Sequence, residues 1–569
     1  MLVKRLSLSF AVLLFSGMVQ ALVFGQDSFV AIPPAQASAY RFDFARNFFS
    51  SPEAEKADRE HLYATLKDLE SLKGRLEKSA DNLYRGLRLN DDLQVQFHKH
   101  YSYLYLRSAV NTNDETSRTE SASLDAEVTT RTAFLRQELM AIDEKTLNHL
   151  VSRNQRLKEY LPAIAAVRRF QSHSLSLKEE ELLSATAPNN DWPYELYEKL
   201  TGPQERELFA FALMRLAGAR TRLAQLHHFD DAASEAYFNS YWTKAEVDTL
   251  LKQIAQKADL YKRYQRLRAD YSRRISQPPR FTINQASEII RNALSPLGSD
   301  YGRELAALLD AANGRMDIVP GEHRKRGGFS QGFIGTDSVF YSFGFAGAYN
   351  DMRVLTHEST HAVHRQLMNR NHVLPAYAEG PHYLFEAFAI FNEFLLPDYL
   401  YNHESDPLRK QFYLEQFLEG KGTAMFYVAP EVTLEHAVYE GVKDGSIKGA
   451  DDLDALTMRV YSPYSLAPEK SQWMKLSLMY EDPFYYVNYV YGAMLALKFY
   501  DLYTRDPEHF VPRYIALMKN GFDAPPAVLL KRFLDIDLHS PDLVSNALSI
   551  IEKKVDLLEK SYRQTVIKN

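Results

Sequence analysis

From about Ser51 to Leu309, apolar residues recur every three or four positions, with charged residues between them. Leu62, Leu66, Leu69, Leu72 and Leu76 mark one such stripe. That period places side chains on one face of an α-helix and excludes a strand-built fold for this half of the chain. Stretches near Arg131–Met140, Glu205–Leu226 and Thr243–Tyr271 read the same way, and Ala187-Pro188-Asn189-Asn190 and Gln277-Pro278-Pro279 break them. No fixed repeat period is visible, which argues against a solenoid. The pattern changes after Asn313. Eight glycines fall between Gly314 and Gly347, with β-branched and aromatic residues between them, as in Ser338-Val339-Phe340-Tyr341-Ser342-Phe343. Short strands and turns are expected there, and helical patterning returns near Asn350.

Composition narrows the chemistry. Among 569 residues there is no cysteine, so disulfides, thiolate metal sites and thiol nucleophiles are excluded. A metal would have to be held by histidine and carboxylate. The net charge of −6 gives no general drive toward nucleic acid or anionic membrane. Lys4 and Arg5, the apolar run from Leu6 to Met18 and small residues in Val19-Gln20-Ala21 have the layout of a secretory signal peptide cleaved after Ala21. No other apolar run is long enough to span a membrane, so no stable membrane insertion is expected after cleavage. An exported chain with neither cysteine nor an Asn-x-Ser/Thr sequon points to a bacterial route, with the periplasm as the expected destination and the extracellular medium as the alternative.

The glycine-rich segment leads into Arg353-Val-Leu-Thr-His-Glu-Ser-Thr-His-Ala-Val-His364, which contains His357-Glu358-Ser359-Thr360-His361, an HExxH run. On a helix, positions i and i+4 share a face, so the two imidazoles can converge on one zinc ion. Glu358 projects beside that face, where it can accept a proton from water at the metal. Asn350 or Asp351 is the expected N-cap, with Val354, Leu355 and Val363 anchoring the helix. A catalytic zinc needs a third protein ligand. His364 is only three residues beyond His361 and reads as a polar neighbour. Glu379, Glu386 and Glu393 are the acidic candidates. The last two lie in Leu384-Phe-Glu-Ala-Phe-Ala-Ile-Phe-Asn-Glu-Phe-Leu-Leu396, where a carboxylate is costly to bury unless paired or metal-bound. That argument does not choose between them.

This stretch resembles the thimet oligopeptidase and oligoendopeptidase F family of zinc peptidases. The family's HExxH helix is followed by a helix that carries the acidic ligand and ends in an Asn-Glu pair. The resemblance implies Glu386, 25 residues beyond His361, as the ligand, with Asn392-Glu393 as the trailing pair and Glu393 supporting the ligands. Gly314-Arg-Met-Asp-Ile and Lys325-Arg-Gly-Gly-Phe-Ser330 resemble the segment leading into the family's substrate-binding strand. Pro483-Phe-Tyr-Tyr-Val-Asn-Tyr-Val-Tyr-Gly492 resembles its tyrosine-rich helix. The resemblance covers about residues 310–495. Thr360 stands where the family usually has Gly, Leu478 where it usually has a His, and Val487 where a Tyr is common. Glu379-Gly380 ahead of Phe385-Glu386-Ala387 also shows a more distant similarity to the angiotensin-converting-enzyme-like dipeptidases.

The resemblance implies a mostly α, two-lobed zincin-type peptidase with a small β element before the HExxH helix and a deep substrate channel. The expected organisation is a signal peptide at 1–21, a helical lobe at 22–300 and a zinc-binding lobe at 301–569. One Zn²⁺ held by His357, His361 and Glu386 would serve hydrolysis of short peptides, with Glu358 as general base and Tyr485 and Tyr489 as oxyanion donors. The strand within Gly328–Phe343 would pair with the peptide backbone. Leu478 and Thr360 keep a second expectation open, that of an exported peptide-binding protein on a degenerate scaffold.

Overall fold

The computed structural model describes residues 29–186, 192–200, 202–271 and 278–567. The signal peptide and its cleavage site, the Ala187–Asn190 break and Gln277 lie outside the described residues. The described chain is mostly helical, with one small three-stranded sheet.

The leucine stripe opens the helical framework. In the Pro52–Glu70 helix, the Ser51 side chain accepts from the Ala54 amide, satisfying an N-terminal donor that the helix itself leaves unpaired. Leu62, Leu66 and Leu69 are fully buried, and Leu72 and Leu76 continue the same core beyond the helix end. Each such burial stabilises by about 1.5–3 kcal/mol relative to exposure. The Ala80–Val110 and Glu115–Ala141 helices, capped by Ser79 and Asp114, pack on the same cluster. The stretch read as Thr243–Tyr271 is two helices, Lys244–Ala255 and Ala258–Tyr271. Thr243 caps the first, in a reciprocal box with Glu246.

The glycine-rich segment forms β1 (Met316–Asp317), β2 (Gly328–Gln331) and β3 (Val339–Ser342). Their order is β1-β3-β2, with β1 parallel and β2 antiparallel to β3; Ser330 pairs with Phe340. β2 is thus an edge strand, with one side of its backbone unpaired within the sheet. Gly332, between β2 and β3, needs to be glycine: its φ is 157°, and a Cβ there would meet the Ser338 Oγ at 2.3 Å.

The chain forms two compact units, each assembled from three segments. The first comprises the described residues within Met1–Gln171, Pro278–Glu379 and Val511–Ala524. The second comprises those within Ser172–Gln277, Gly380–Phe510 and Pro525–Asn569. A boundary near residue 300 coincides with neither. The Ile283–Leu294 and Ser299–Leu309 helices pack on the HExxH helix (Tyr349–Arg370), so the chain stays in one unit through that point. In the second unit, the His382–His403 helix is apolar nearly all round its circumference and buried accordingly. It packs against the tyrosine helix (Val487–Arg505). Among the described residues no helix is long and apolar enough to cross a membrane.

Candidate metal centre

The HExxH helix begins at Tyr349, with Ala348 at the N-cap position; neither Asn350 nor Asp351 caps it. Asp351 instead reaches back from the first turn, its Oδ2 accepting from the amides of Ala346 and Ala348 at 2.8 and 3.1 Å. That bond starts the helix earlier than the sequence suggested. Leu355 and Val363 are buried, while Val354 is half-buried. His357, Glu358 and His361 are 7%, 7% and 1% exposed. The Nε2 atoms of His357 and His361 stand 3.2 Å apart. Thr360 is accommodated without disturbing them: its hydroxyl donates to the Thr356 carbonyl at 2.9 Å, and Tyr301 donates to it at 3.4 Å.

Ligand atoms of His357, His361 and Glu386 all lie within 4.8 Å of one another. Two nitrogens bound to tetrahedral zinc at about 2.0–2.1 Å stand about 3.3 Å apart, so the imidazole spacing fits that ion. The donor set, two imidazoles and one carboxylate, also suits it. Of the three acidic candidates, Glu386 alone belongs to this group. Glu393 is buried two turns further along the His382–His403 helix. Glu379 is half-buried outside that helix, and burial raises its carboxyl above the usual range against the pull of Arg365. The Glu386 backbone is seated by Gly492 of the tyrosine helix, where a Cβ would meet the Glu386 Cβ at 2.8 Å. His364 is buried, and burial pushes its imidazole down to about 3, so it is neutral at pH 7.

The two tyrosines singled out in the sequence, Tyr485 and Tyr489, are each 5% exposed, with ring centroids 5.4 Å apart. Sequence reasoning missed two neighbours. The His382 ring lies 5.5 Å from that of Tyr485, and the Lys421 ammonium lies 5.0 Å from the Tyr489 ring. His382 stands one helical turn before Glu386, a spacing that could have drawn attention to it. Leu478 is buried.

A third missed residue is Arg365, one turn beyond His361. It is buried and donates to the Ser330 hydroxyl of β2 at 2.9 Å, tying the edge strand to the HExxH helix. Burial pulls its guanidinium below the ordinary range, and the carboxylates of Glu379 and Glu358 oppose that shift. Gln366 extends the tie by donating to the Ser338 hydroxyl at 3.2 Å.

Known proteins resemble this chain over most of its length. Residues 306–550 match the family described as Peptidase family M3, and residues 138–202 match Oligopeptidase F. Oligopeptidase PepF of Bacillus subtilis is 22% identical over 582 residues, covering 90% of this chain and 86% of that protein. The Oligoendopeptidase F homolog of Lactococcus lactis is 20% identical, covering 86% and 91%. The structure of oligoendopeptidase-F from Enterococcus faecium is similar with a TM-score of 0.65 at 17% identity, covering 90% of this chain and 99% of that one. A chain from Chlamydophila abortus reaches a TM-score of 0.77 at 17% identity, covering 92% and 98%. The expected mostly α class, with a small β element before the HExxH helix, is therefore the observed one, and the chain belongs to peptidase family M3, the thimet oligopeptidase and oligoendopeptidase F family that its motifs resemble.

Proposed function

We propose that the chain is a zinc-dependent oligopeptidase, exported to the periplasm, that hydrolyses peptide bonds in short peptides. The observation that carries this reading is the 3.2 Å approach of the His357 and His361 Nε2 atoms within a His-His-Glu group. His357, His361 and Glu386 would hold one zinc ion, which supplies Lewis-acid polarisation of the scissile carbonyl and a more acidic water. Glu358 takes the proton of the attacking water and returns it to the leaving amine. Tyr485 and Tyr489 offer phenol donors to the developing oxyanion; a phenol donates strongly without a charge to desolvate. The open edge of β2 can extend the sheet by one strand of peptide, and Arg365 holds that edge rigid from the HExxH helix.

The test is turnover of a quenched fluorescent peptide by wild type and Glu358→Gln, each with and without chelator. Wild type should cleave and lose activity with chelator. Glu358→Gln should keep its zinc and peptide binding yet lose about 10²–10⁴-fold or more in rate. Binding without cleavage by wild type across a broad peptide library would replace this reading with that of a degenerate peptide-binding protein.

A further inference from the structure

The turn that delivers Tyr485 contains Phe484 at φ 67°, in the left-handed region that a residue with a Cβ rarely adopts. Such a conformation persists only where its surroundings enforce it. Here one face of the Ala424–Asp444 helix does so. The Glu435 Oε1 accepts the Phe484 amide at 2.8 Å, and Glu435 is fully buried. One turn further on, the Tyr439 ring centroid lies 4.6 Å from that of Phe484, and the His436 ring lies 6.1 Å away. The Tyr237 ring closes the pocket at 5.8 Å. His436 is itself fixed, its Nε2 2.5 Å from the Tyr237 hydroxyl and its Nδ1 3.1 Å from the Asp248 carboxylate. Backbone and side chain of Phe484 are therefore both held, and the next residue is Tyr485. The Tyr485 carbonyl in turn accepts from the Asn488 side chain at 3.0 Å.

We propose that Glu435 is a positioning residue for peptide hydrolysis: by accepting the Phe484 amide, it fixes the left-handed turn that presents the Tyr485 phenol. The inference rests on the reading of Tyr485 as an oxyanion donor. A buried carboxyl costs stability, and a purely packed position would be better filled by an apolar side chain. Burial pushes the Glu435 carboxyl up to about 8, so near neutrality it is an uncharged acceptor, which a carboxamide can replace.

The experiment compares kcat and KM of wild type, Glu435→Met, Glu435→Gln, Tyr485→Phe and the Glu435→Met/Tyr485→Phe double variant. Hydrogen exchange of the 481–489 segment and zinc content are measured on the same proteins. Glu435→Met, which keeps the volume and loses the acceptor, should lower kcat by about tenfold or more with KM within about threefold, while Glu435→Gln stays near wild type. In the double variant, Glu435→Met should cost less than about threefold beyond Tyr485→Phe, since a residue that acts through Tyr485 has nothing left to position. The Phe484 amide should exchange faster in the Met variant and stay protected in the Gln variant. Additive losses overturn the inference, and so does a Gln variant as slow as Tyr485→Phe; the latter result holds even if Glu435→Met fails to fold. Wild-type kcat in Glu435→Met overturns the inference alone and leaves Tyr485 in place. Wild-type kcat in Tyr485→Phe overturns the oxyanion reading, and the inference with it.

Discussion

The Nε2 atoms of His357 and His361 face each other at 3.2 Å within a buried helix. Two imidazole lone pairs brought this close repel unless a proton or a cation lies between them. A cation suits the pair better, because Glu386 adds a negative charge to the same group.

Glu386→Ala should therefore lose zinc, while Glu393→Ala should keep most of it. Both carboxylates are buried on one helix, but only Glu386 joins the histidine group. Metal analysis of the two purified variants decides the matter; equal loss, or loss from Glu393→Ala alone, would mean that the ligand is misassigned.

Tyr485→Phe should lower kcat much more than it raises KM, because a donor aimed at the oxyanion acts mainly in the transition state. Loss of one such donor costs about 10²–10³-fold in kcat. Steady-state kinetics on the same peptide would shift the role to Tyr489 if only Tyr489→Phe showed that pattern.

Gly492→Ala should destabilise the protein by about 1–3 kcal/mol, the range for overpacking a filled contact. The added Cβ would meet the Glu386 Cβ at 2.8 Å and the Tyr383 carbonyl at 3.3 Å, and neither can give way without moving its helix. Denaturant unfolding gives the stability loss, and a parallel zinc titration should show weaker binding. Wild-type stability in Gly492→Ala would show that the helices separate freely.

Asp91 makes stability depend on mild acidity. It is 1% exposed, and burial pushes its carboxyl up to about 6, against the hydrogen bond it accepts from Tyr160 at 2.6 Å. The folded state thus keeps a proton that the unfolded chain releases near its ordinary value of 3.8. Stability contributed below pH 4 is lost as pH rises through 6, by up to about 3 kcal/mol. Relative to wild type, Asp91→Asn should gain stability across that window and show a constant difference above it. Melting curves of both proteins from pH 3.5 to 7 would refute this if the difference did not change.

Export should leave Leu22 as the mature N-terminus, since Val19-Gln20-Ala21 has the residues that a signal peptidase reads. N-terminal sequencing of the exported protein is the check, and a retained Met1 on a membrane-associated form would contradict it.

Local periodicity carried much of the fold into the sequence. Leu62, Leu66 and Leu69 are buried where their spacing placed them, and His357 and His361 bring their Nε2 atoms together because a four-residue step is about one helical turn. Choosing Glu386 over Glu393 was different, for both are acids in the same apolar helix and only a family resemblance separated them. What stayed hidden depends on residues remote in the chain. Arg365 gives no sign that it reaches Ser330, nor Glu435 that it holds the Phe484 amide, because such contacts have no period. The interleaving of the two units is hidden for the same reason: each helix reads alike whichever neighbours it packs on.

The contact of Gly492 with Glu386 joins the acidic helix to the tyrosine helix with no side chain between their backbones. Two helices in such register behave as a cassette. Homologous recombination or chimera construction that exchanges one of them alone would import a foreign surface against an unyielding backbone. Crossovers that carry both together, from His382 through Arg505, would preserve the match, so in this fold Glu386 and the two tyrosines would be inherited as one block.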